Sequence, residues 1–320
     1  MSGRRAAGPI ADAVGVLAGF LLDRAVGDSR RWHPVAGFGR AAGALERRVY
    51  ADSRAAGARF AAVAVGAPVA VAAVAAYATR RRPVARAALV AATTWAVLGG
   101  ESLRREAGVM AGALERDDLP AARRRLPHLC GRDPAGLDAA GLARATVESV
   151  AENTSDAVVA PLVWGALAGL PGLVGYRAVN TLDAMVGHRG PRYGRFGTAS
   201  ARADDAANLL PSRLTAALTV VAAPGVAGSP AAAARVWRRD GHRHPSPNSG
   251  HCEAAAAGAL GVRLGGRNVY DGRVEERPTL GDGPPPGVAD IRRAARLSGL
   301  VGAGAAAVAV AALLARGWRR

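Results

Sequence analysis

Glu148, Glu152 and Asp156 recur every four residues in the stretch Thr146–Leu162, TVESVAENTSDAVVAPL. On a helix that spacing stacks three carboxylates on one face, where like charges repel. The row abuts an uncharged run of membrane length, Ala157–Tyr176. A second polar tract, Tyr176–Arg189 (YRAVNTLDAMVGHR), begins where that run ends and carries Asn180 and Asp183. Polar groups crowded against a membrane boundary point to a site built there. The plain alternative is a helix end with solvated charges.

Three further tracts carry chemistry-bearing types. Leu22–Arg40 holds Asp23, Asp28 and His33-Pro34. It suits substrate or metal-phosphate binding near a membrane surface, or else a simple loop with Asp28 as N-cap. Gly187–Arg213 holds Arg189, Arg192 and Arg195, a cationic loop suited to phosphate. In the same tract Arg202, Asp205 and Asn208 recur at three-residue steps, with Asp204 four before Asn208. A helix would show a carboxylate–amide face there, fit for magnesium or for intrahelical ion pairs. Arg238–Gly266 holds His242, His244, His251 and Cys252, whose spacing matches no common zinc site. Ser246–Gly250 reads as a turn entering a helix with Glu253 in its first turn, and the helix amides would form an anion site.

Composition narrows the chemistry. Over 320 residues, 42 basic against 25 acidic side chains leave +17, and the absence of lysine makes every cation an arginine. A phosphate loop of the usual form needs lysine; there is also no GxGxxG after a strand and no GxSxG elbow. A bound nucleotide must therefore be held by arginines, helix amides and magnesium on carboxylates. Nucleic acid would want a basic stripe interleaved with aromatics, and aromatics are only 4% of the chain. Anionic lipid headgroups and phosphorylated substrates fit the arginines better. Cys130 and Cys252 lie too far apart in sequence for a metal knuckle or disulfide framework, which suits a reducing compartment.

The elements that must position these tracts are helical. Phe60–Thr79, Ala157–Tyr176, Leu214–Ala234 and Leu297–Ala315 are uncharged and long enough to cross a bilayer. Ala13–Leu22 and Ala87–Gly100 are shorter candidates. The expected fold is all-α: one polytopic integral membrane domain over residues 1–320. It would hold about four to six membrane-embedded helices, some re-entrant, with helical interfacial loops. Leu170-Pro171-Gly172 and Ala223-Pro224-Gly225 are places where a helix could turn back. Arg80-Arg81-Arg82 belongs on the cytoplasmic side by the positive-inside rule, and the first helix reads as uncleaved. Val262–Val274 reads as a Gly-rich turn or short hairpin, and Gly281–Gly287 as a loop.

Five tracts carry a resemblance. They are GDSRRWHPVAGFGR (27–40), VESVAENTSDAVVAPL (147–162), YRAVNTLDAMVGHR (176–189), ARADDAANLLPSRLTA (201–216) and HPSPNSGHCEAAAAGALGVRLGG (244–266). Together they resemble the adenosylcobinamide-phosphate synthase family of cobalamin biosynthesis, CobD/CbiB. The chain departs from the family's usual pattern at Ser29, where proline is common. It departs again at Ser249, His251 and Cys252, where alanine and an aromatic–proline pair are usual. The second departure argues against His251 and Cys252 as required ligands.

The resemblance implies a multi-pass enzyme of the cell membrane. It would use ATP and Mg2+ to join a propionate carboxylate of adenosylcobyric acid to aminopropanol phosphate or aminopropanol. On that reading Glu148, Glu152, Asp156 and Asp183 are catalytic, and Asp204, Asp205 and Glu152 hold magnesium. Arg189, Arg192, Arg195 and Arg202 contact phosphates, and Asn153, Asn180 and Asn248 orient amide or carboxylate groups. Asp28 and His33 join the substrate and nucleotide contacts. The partners are the two substrates and the lipid bilayer, not nucleic acid; homo-oligomers and pathway-enzyme contacts stay open. The competing class is a non-catalytic membrane protein, AmpE-like or a transporter. A transporter would want ionisable residues inside its spans, whereas the long runs here are clean and the charges lie between them.

Overall fold

The computed structural model describes residues 2–28, 33–188, 190–270 and 273–318. The helices, in chain order, are α1 (Ser2–Val26), α2 (Pro34–Val49), α3 (Arg54–Thr79), α4 (Pro83–Val97), α5 (Gly100–Glu115) and α6 (Leu119–Arg125). They continue with α7 (Ala139–Thr154), α8 (Ala160–Leu182), α9 (Thr198–Ala222), α10 (Pro230–Asp240), α11 (Ser249–Leu260) and α12 (Val288–Trp318). Between α11 and α12 a hairpin pairs β1 (Leu264–Tyr270) with β2 (Arg273–Leu280) antiparallel, where the sequence reads as a Gly-rich turn. Helix starts follow local chemistry. Ser53, Asp118, Asp138 and Ser229 each accept the amide three residues on, and proline opens α2, α4, α6 and α10.

Five helical segments among the described residues are long and apolar enough to cross a membrane: Arg54–Thr79, Pro83–Glu115, Ala139–Gly187, Thr198–Val226 and Val288–Trp318. The protein is thus all-α and polytopic, with two differences from the sequence expectation. The run Leu214–Ala234 is not one span. Its helix starts earlier, at Thr198, and ends in a tight turn at Ala223–Val226, with Ala227 left-handed at φ 54°. The polar tracts also do not lie between the helices, because α7, α8 and α9 run straight through them. Ala157–Tyr176 is interrupted at Gly169 (φ 65°, ψ −145°), one residue before the expected Leu170-Pro171-Gly172 break.

Contacts divide the chain into two compact units. The first comprises residues 1–99, 160–208 and 306–320; the second comprises 100–159 and 209–305. In the first, α1 packs on α4 through Gly15 and Gly19. A Cβ on either would come within 2.6 Å of Val90 Cβ or 2.5 Å of the Ala91 carbonyl, the close approach that small residues permit between membrane helices. The outer face of α1 leaves Ile10, Val14, Leu17 and Leu21 exposed, a lipid-suited stripe. The scarce aromatics concentrate in one core, with Tyr50 and Phe60 each 5.2 Å from the Phe196 ring. That core buries Leu182 and Val186, which bracket Asp183.

In the second unit α11 is built of small residues and buried almost end to end. Gly258 faces the α10 backbone, where a Cβ would lie 2.7 Å from Ala233 Cα. Asp240, fully buried at the end of α10, accepts from Arg239, Arg243 and the Gly281 amide. Those bonds, led by Arg239, hold its carboxyl down at about 2 and tie α10 to the end of the hairpin.

Gly169 occupies a region open almost only to glycine, so Gly169→Ala is expected to destabilise the protein by about 1–3 kcal/mol. Gly66, in mid-α3 with nothing within 4 Å of its missing Cβ, gives the opposite sign: alanine there is neutral or stabilising by at most about 1 kcal/mol. Thermal unfolding of the two variants in detergent checks the contrast.

Candidate functional site

Glu148 and Glu152 project from the final turns of α7 in the second unit, as their spacing demands. Glu148 is buried. Its Oε2 accepts from Arg132 Nη2 at 2.5 Å, its Oε1 accepts from the Gly265 amide at 2.7 Å, and Arg144 Nη1 lies 3.8 Å from Oε1. Glu152 Oε1 accepts from Ser249 Oγ at 2.6 Å. The third carboxylate lies just past the helix. α7 ends at Thr154, and Asp156 sits on the π turn Ser155–Val159, where the regular α-helical pitch no longer holds. Asp156 acts, with Glu152 and Glu253, on the buried Cys252 thiol, which burial above all pushes well up.

The SPNS turn sets the rest of this cluster. Ser246 Oγ accepts the amides of Asn248 and Ser249, each at 3.3 Å. These two amides at the entry to α11 therefore serve the turn. Asn248 Oδ1 accepts from Ser212 Oγ at 3.2 Å and from Arg213 at 3.1 Å. Asn153 donates to the carbonyl and hydroxyl of Ser149, one turn back. His244 Nδ1 accepts the Ser246 amide at 3.0 Å, which puts the proton of a neutral ring on Nε2. Nε2 lies 4.0 Å from Glu253 Oε1 and 3.3 Å from Arg277 Nη1. Burial, then Arg277, lowers the affinity of His244 for a second proton. Glu253 starts the second turn of α11, not the first, and is 2% exposed. Burial, followed by the charges of Glu148 and Glu152, pushes its carboxyl well above the ordinary glutamate range.

Beside this cluster lies a cavity of about 310 Å³. Arg144, Arg263, Arg267 and Thr279 line it with Gly265 and Gly266, whose φ angles are 83° and 89°. Arg144 donates to the carbonyls of Gly265 and Arg267. The cavity thus joins three guanidiniums to the β1 backbone whose Gly265 amide also holds Glu148.

The first unit holds a second cluster. Asp204 on α9 accepts from Asn180 Nδ2 at 3.3 Å and Asn208 Nδ2 at 3.0 Å, and Tyr176 donates to Asn208 Oδ1 at 3.0 Å. Asp183 is close enough to Asp204 for their charges to interact, with Asp205 contributing less. A second π turn, Asp183–Gly187, carries Asp183. Gly187 makes room for its carboxylate, because a Cβ there would overlap Oδ1. Arg202 lies one turn before Asp205 on α9.

The cationic loop is engaged by acids and rings. Arg192 pairs with Glu46 at 2.8 Å and its guanidinium sits 4.2 Å over Tyr50; Arg195 lies 3.9 Å from Asp52. Arg189 falls outside the described residues. His33 occupies the N-cap position of α2, with no side-chain cap bond, and faces Asp28 at 3.6 Å. The capping role considered for Asp28 is therefore not the one observed. Among the described residues no three His, Cys, Asp or Glu side chains converge as a metal cage. The Asp183–Asp204 pair still fits magnesium, which binds through one or two carboxylates plus water and phosphate oxygens.

Sequence reasoning missed Arg132, Arg277, Ser249 and the buried state of Glu253. The one usable signal was Glu253 itself, the sole charge in the Ala- and Gly-rich stretch 249–262.

The profile of the family described as "CobD/Cbib protein" matches residues 16–298. The chain belongs to the CobD/CbiB family. It is 58% identical to the cobalamin biosynthesis protein CobD of Mycobacterium tuberculosis over 301 residues, 93% of this chain and 95% of that one. The corresponding protein of Geobacter metallireducens is 47% identical over 83% of this chain and 86% of its own. That of Chromobacterium violaceum is 45% identical over 87% and 89%. No solved structure matches the chain significantly. Both polar clusters fall within the matched span of the CobD/CbiB profile, so they are features of a cobalamin-biosynthesis chain.

Glu253 binds its proton more tightly folded than unfolded. Folding stability therefore falls as pH rises from the ordinary glutamate range upward. Glu253→Gln removes that slope. Relative to the parent, the variant is expected to gain more stability at about pH 8 than at about pH 5 in thermal unfolding. A difference that stays constant with pH would make Glu253 an ordinary carboxylate.

Proposed function

We propose that this chain is an adenosylcobinamide-phosphate synthase. It would join a propionate carboxylate of adenosylcobyric acid to the amine of (R)-1-amino-2-propanol O-2-phosphate, or of aminopropanol, at the expense of ATP in the cell membrane. The observation that carries this reading is the patch of buried Glu148 and Glu253 with half-buried Glu152, and an arginine-lined cavity against it, in a cobalamin-biosynthesis family.

A carboxylate is a poor acyl donor. In the reaction proposed, its oxygen attacks the γ-phosphorus of ATP, the bond to ADP breaks, and an acyl phosphate forms. The amine then attacks the acyl carbon, inorganic phosphate leaves, and the amine proton passes to a base. Arg144, Arg263 and Arg267 are suited to the phosphates, since guanidiniums match phosphate oxygens in pairs. Glu148 holds Arg132 and the Gly265 amide in place and so shapes that cavity. Glu152, oriented by Ser249, is the group we assign to take the proton. Burial and its acidic neighbours favour the protonated form of Glu253, which limits the negative charge of the patch. In the first unit Asp183, Asp204 and Asp205 would offer oxygens to magnesium, and Asn180 and Asn208 fix Asp204. Magnesium held there would supply neutralisation of phosphate oxygens. Arg192 and Arg195, already paired, are reassigned as holders of their loop.

ATP-dependent amide formation by purified protein in detergent tests the assignment. Glu152→Ala and Asp183→Ala are each expected to lower kcat by about a hundredfold or more. Arg267→Gln is expected mainly to raise KM for ATP. Full activity in both alanine variants would overturn the assignment. Corrinoid binding without any corrinoid-dependent ATP consumption would favour a non-catalytic membrane protein instead.

A further inference from the structure

A cavity of about 410 Å³ in the first unit shares no lining residue with either cluster. Asp12, Arg80, Arg86, Gly169, Leu313 and Arg316 are among its lining residues. These come from the ends of membrane-length helices: Arg80 directly follows α3, Arg86 is in the first turn of α4, and Arg316 is in the last turn of α12. The cavity therefore sits at a membrane boundary, with three guanidiniums against one carboxylate.

Part of that charge is structural. Arg86 grips Asp12 with two bonds of 2.6 and 2.7 Å and reaches the Ala76 carbonyl at 3.4 Å. Arg316 donates to the Ala166 and Leu167 carbonyls, which the Gly169 break deprives of their helical partners. Arg80 donates to the Tyr77 carbonyl at 2.8 Å, with its guanidinium 3.4 Å over the Tyr77 ring. A guanidinium has five N–H donors. These bonds use three on Arg86, two on Arg316 and one on Arg80. A helix break needs one cation to cap its carbonyls, so the break alone does not account for three arginines around a cavity of this volume.

We propose that this cavity is a binding site for a phosphate-class anion at the membrane surface, supplied as a lipid phosphodiester headgroup or as free phosphate. Arg80, Arg86 and Arg316 would share its oxygens, as paired guanidinium donors do. Asp12 holds Arg86 in its pose and biases the site against a second anion. Leu167 and Leu313 give the cavity an apolar side along which the glycerol end of a lipid would lie.

The test uses the full chain, stripped of lipid in neutral detergent. Phosphatidylglycerol, phosphatidylcholine and inorganic phosphate are titrated separately, with native mass spectrometry and thermal shift as readouts. Retention of phosphatidylglycerol over phosphatidylcholine, weakened about tenfold by Arg80→Gln, identifies a lipid headgroup as the ligand. Stabilisation by inorganic phosphate with the same loss identifies the free anion. Among the described residues Arg80 contacts its own helix end at Tyr77, so its variant is expected to fold; Arg316→Gln should weaken the same ligand. Binding that both variants leave unchanged, or no preference for either anion over phosphatidylcholine, overturns the proposal.

Discussion

Burying Glu148 and Glu253 beside a half-buried Glu152 in one patch is the constraint on which the second unit depends. Unpaired carboxylates in a low-dielectric interior are untenable, so each must find a cation, donors or a proton. Glu148 takes Arg132 and a strand amide, Glu152 takes a serine hydroxyl, and burial biases Glu253 toward its protonated form. Each solution fixes a different element. Arg132 ties in the loop before α7, Gly265 ties the hairpin to α7, and Ser249 ties in the start of α11. His244 completes the arrangement as a neutral ring held by the Ser246 amide. The electrostatic requirement thus brings loop, helix and hairpin together where apolar packing alone would specify no register.

Local irregularity follows the polar residues closely. Both π turns, Ser155–Val159 and Asp183–Gly187, begin at or next to an aspartate of a polar tract. A π turn costs backbone geometry and is retained where a side chain must point elsewhere than an α-helix would aim it. Gly187 and Gly169 extend the same logic. One vacates the volume that the Asp183 carboxylate fills, and the other adopts an angle that lets α8 break beside Asp12. The helices are regular where they meet lipid-suited surface and irregular where they present acids.

Much of this was legible in the sequence because it rests on local rules. Uncharged runs longer than a bilayer, Pro-Gly breaks and the glycine-rich hairpin are written in contiguous residues. So is the Glu148–Glu152 face. What was not legible depends on pairs far apart in the chain. Gly265 meets Glu148 across 117 residues and Ser249 meets Glu152 across 97. Asp156 falls on a π turn, where the constant helical pitch that periodicity assumes does not hold. The run Leu214–Ala234 failed as one span because hydropathy alone ignores turns, although the Ala223-Pro224-Gly225 break marked in the sequence is where α9 gives way to the Ala223–Val226 turn. Both carboxylate clusters were visible as composition; their partners were not.

The all-arginine surplus is best divided by what each guanidinium already does. Arg293 donates to the carbonyls of Val226 and Leu260 and Arg123 to that of Leu137, while Arg239 and Arg243 pair with the Asp240 carboxylate. The carbonyl contacts satisfy backbone at helix and turn ends where water would otherwise do so. Lysine, with one compact ammonium, could not bridge two carbonyls in a fixed plane as Arg293 does. A net charge of +17 therefore measures structural capping as well as ligand affinity. Among arginines, the ones worth assigning to a phosphate are those that line a cavity after capping is counted. That criterion selects Arg144, Arg263 and Arg267 in one unit and Arg80, Arg86 and Arg316 in the other. It passes over Arg192, which counting charges along the sequence had favoured, because Arg192 lines neither cavity and is held by Glu46 and Tyr50.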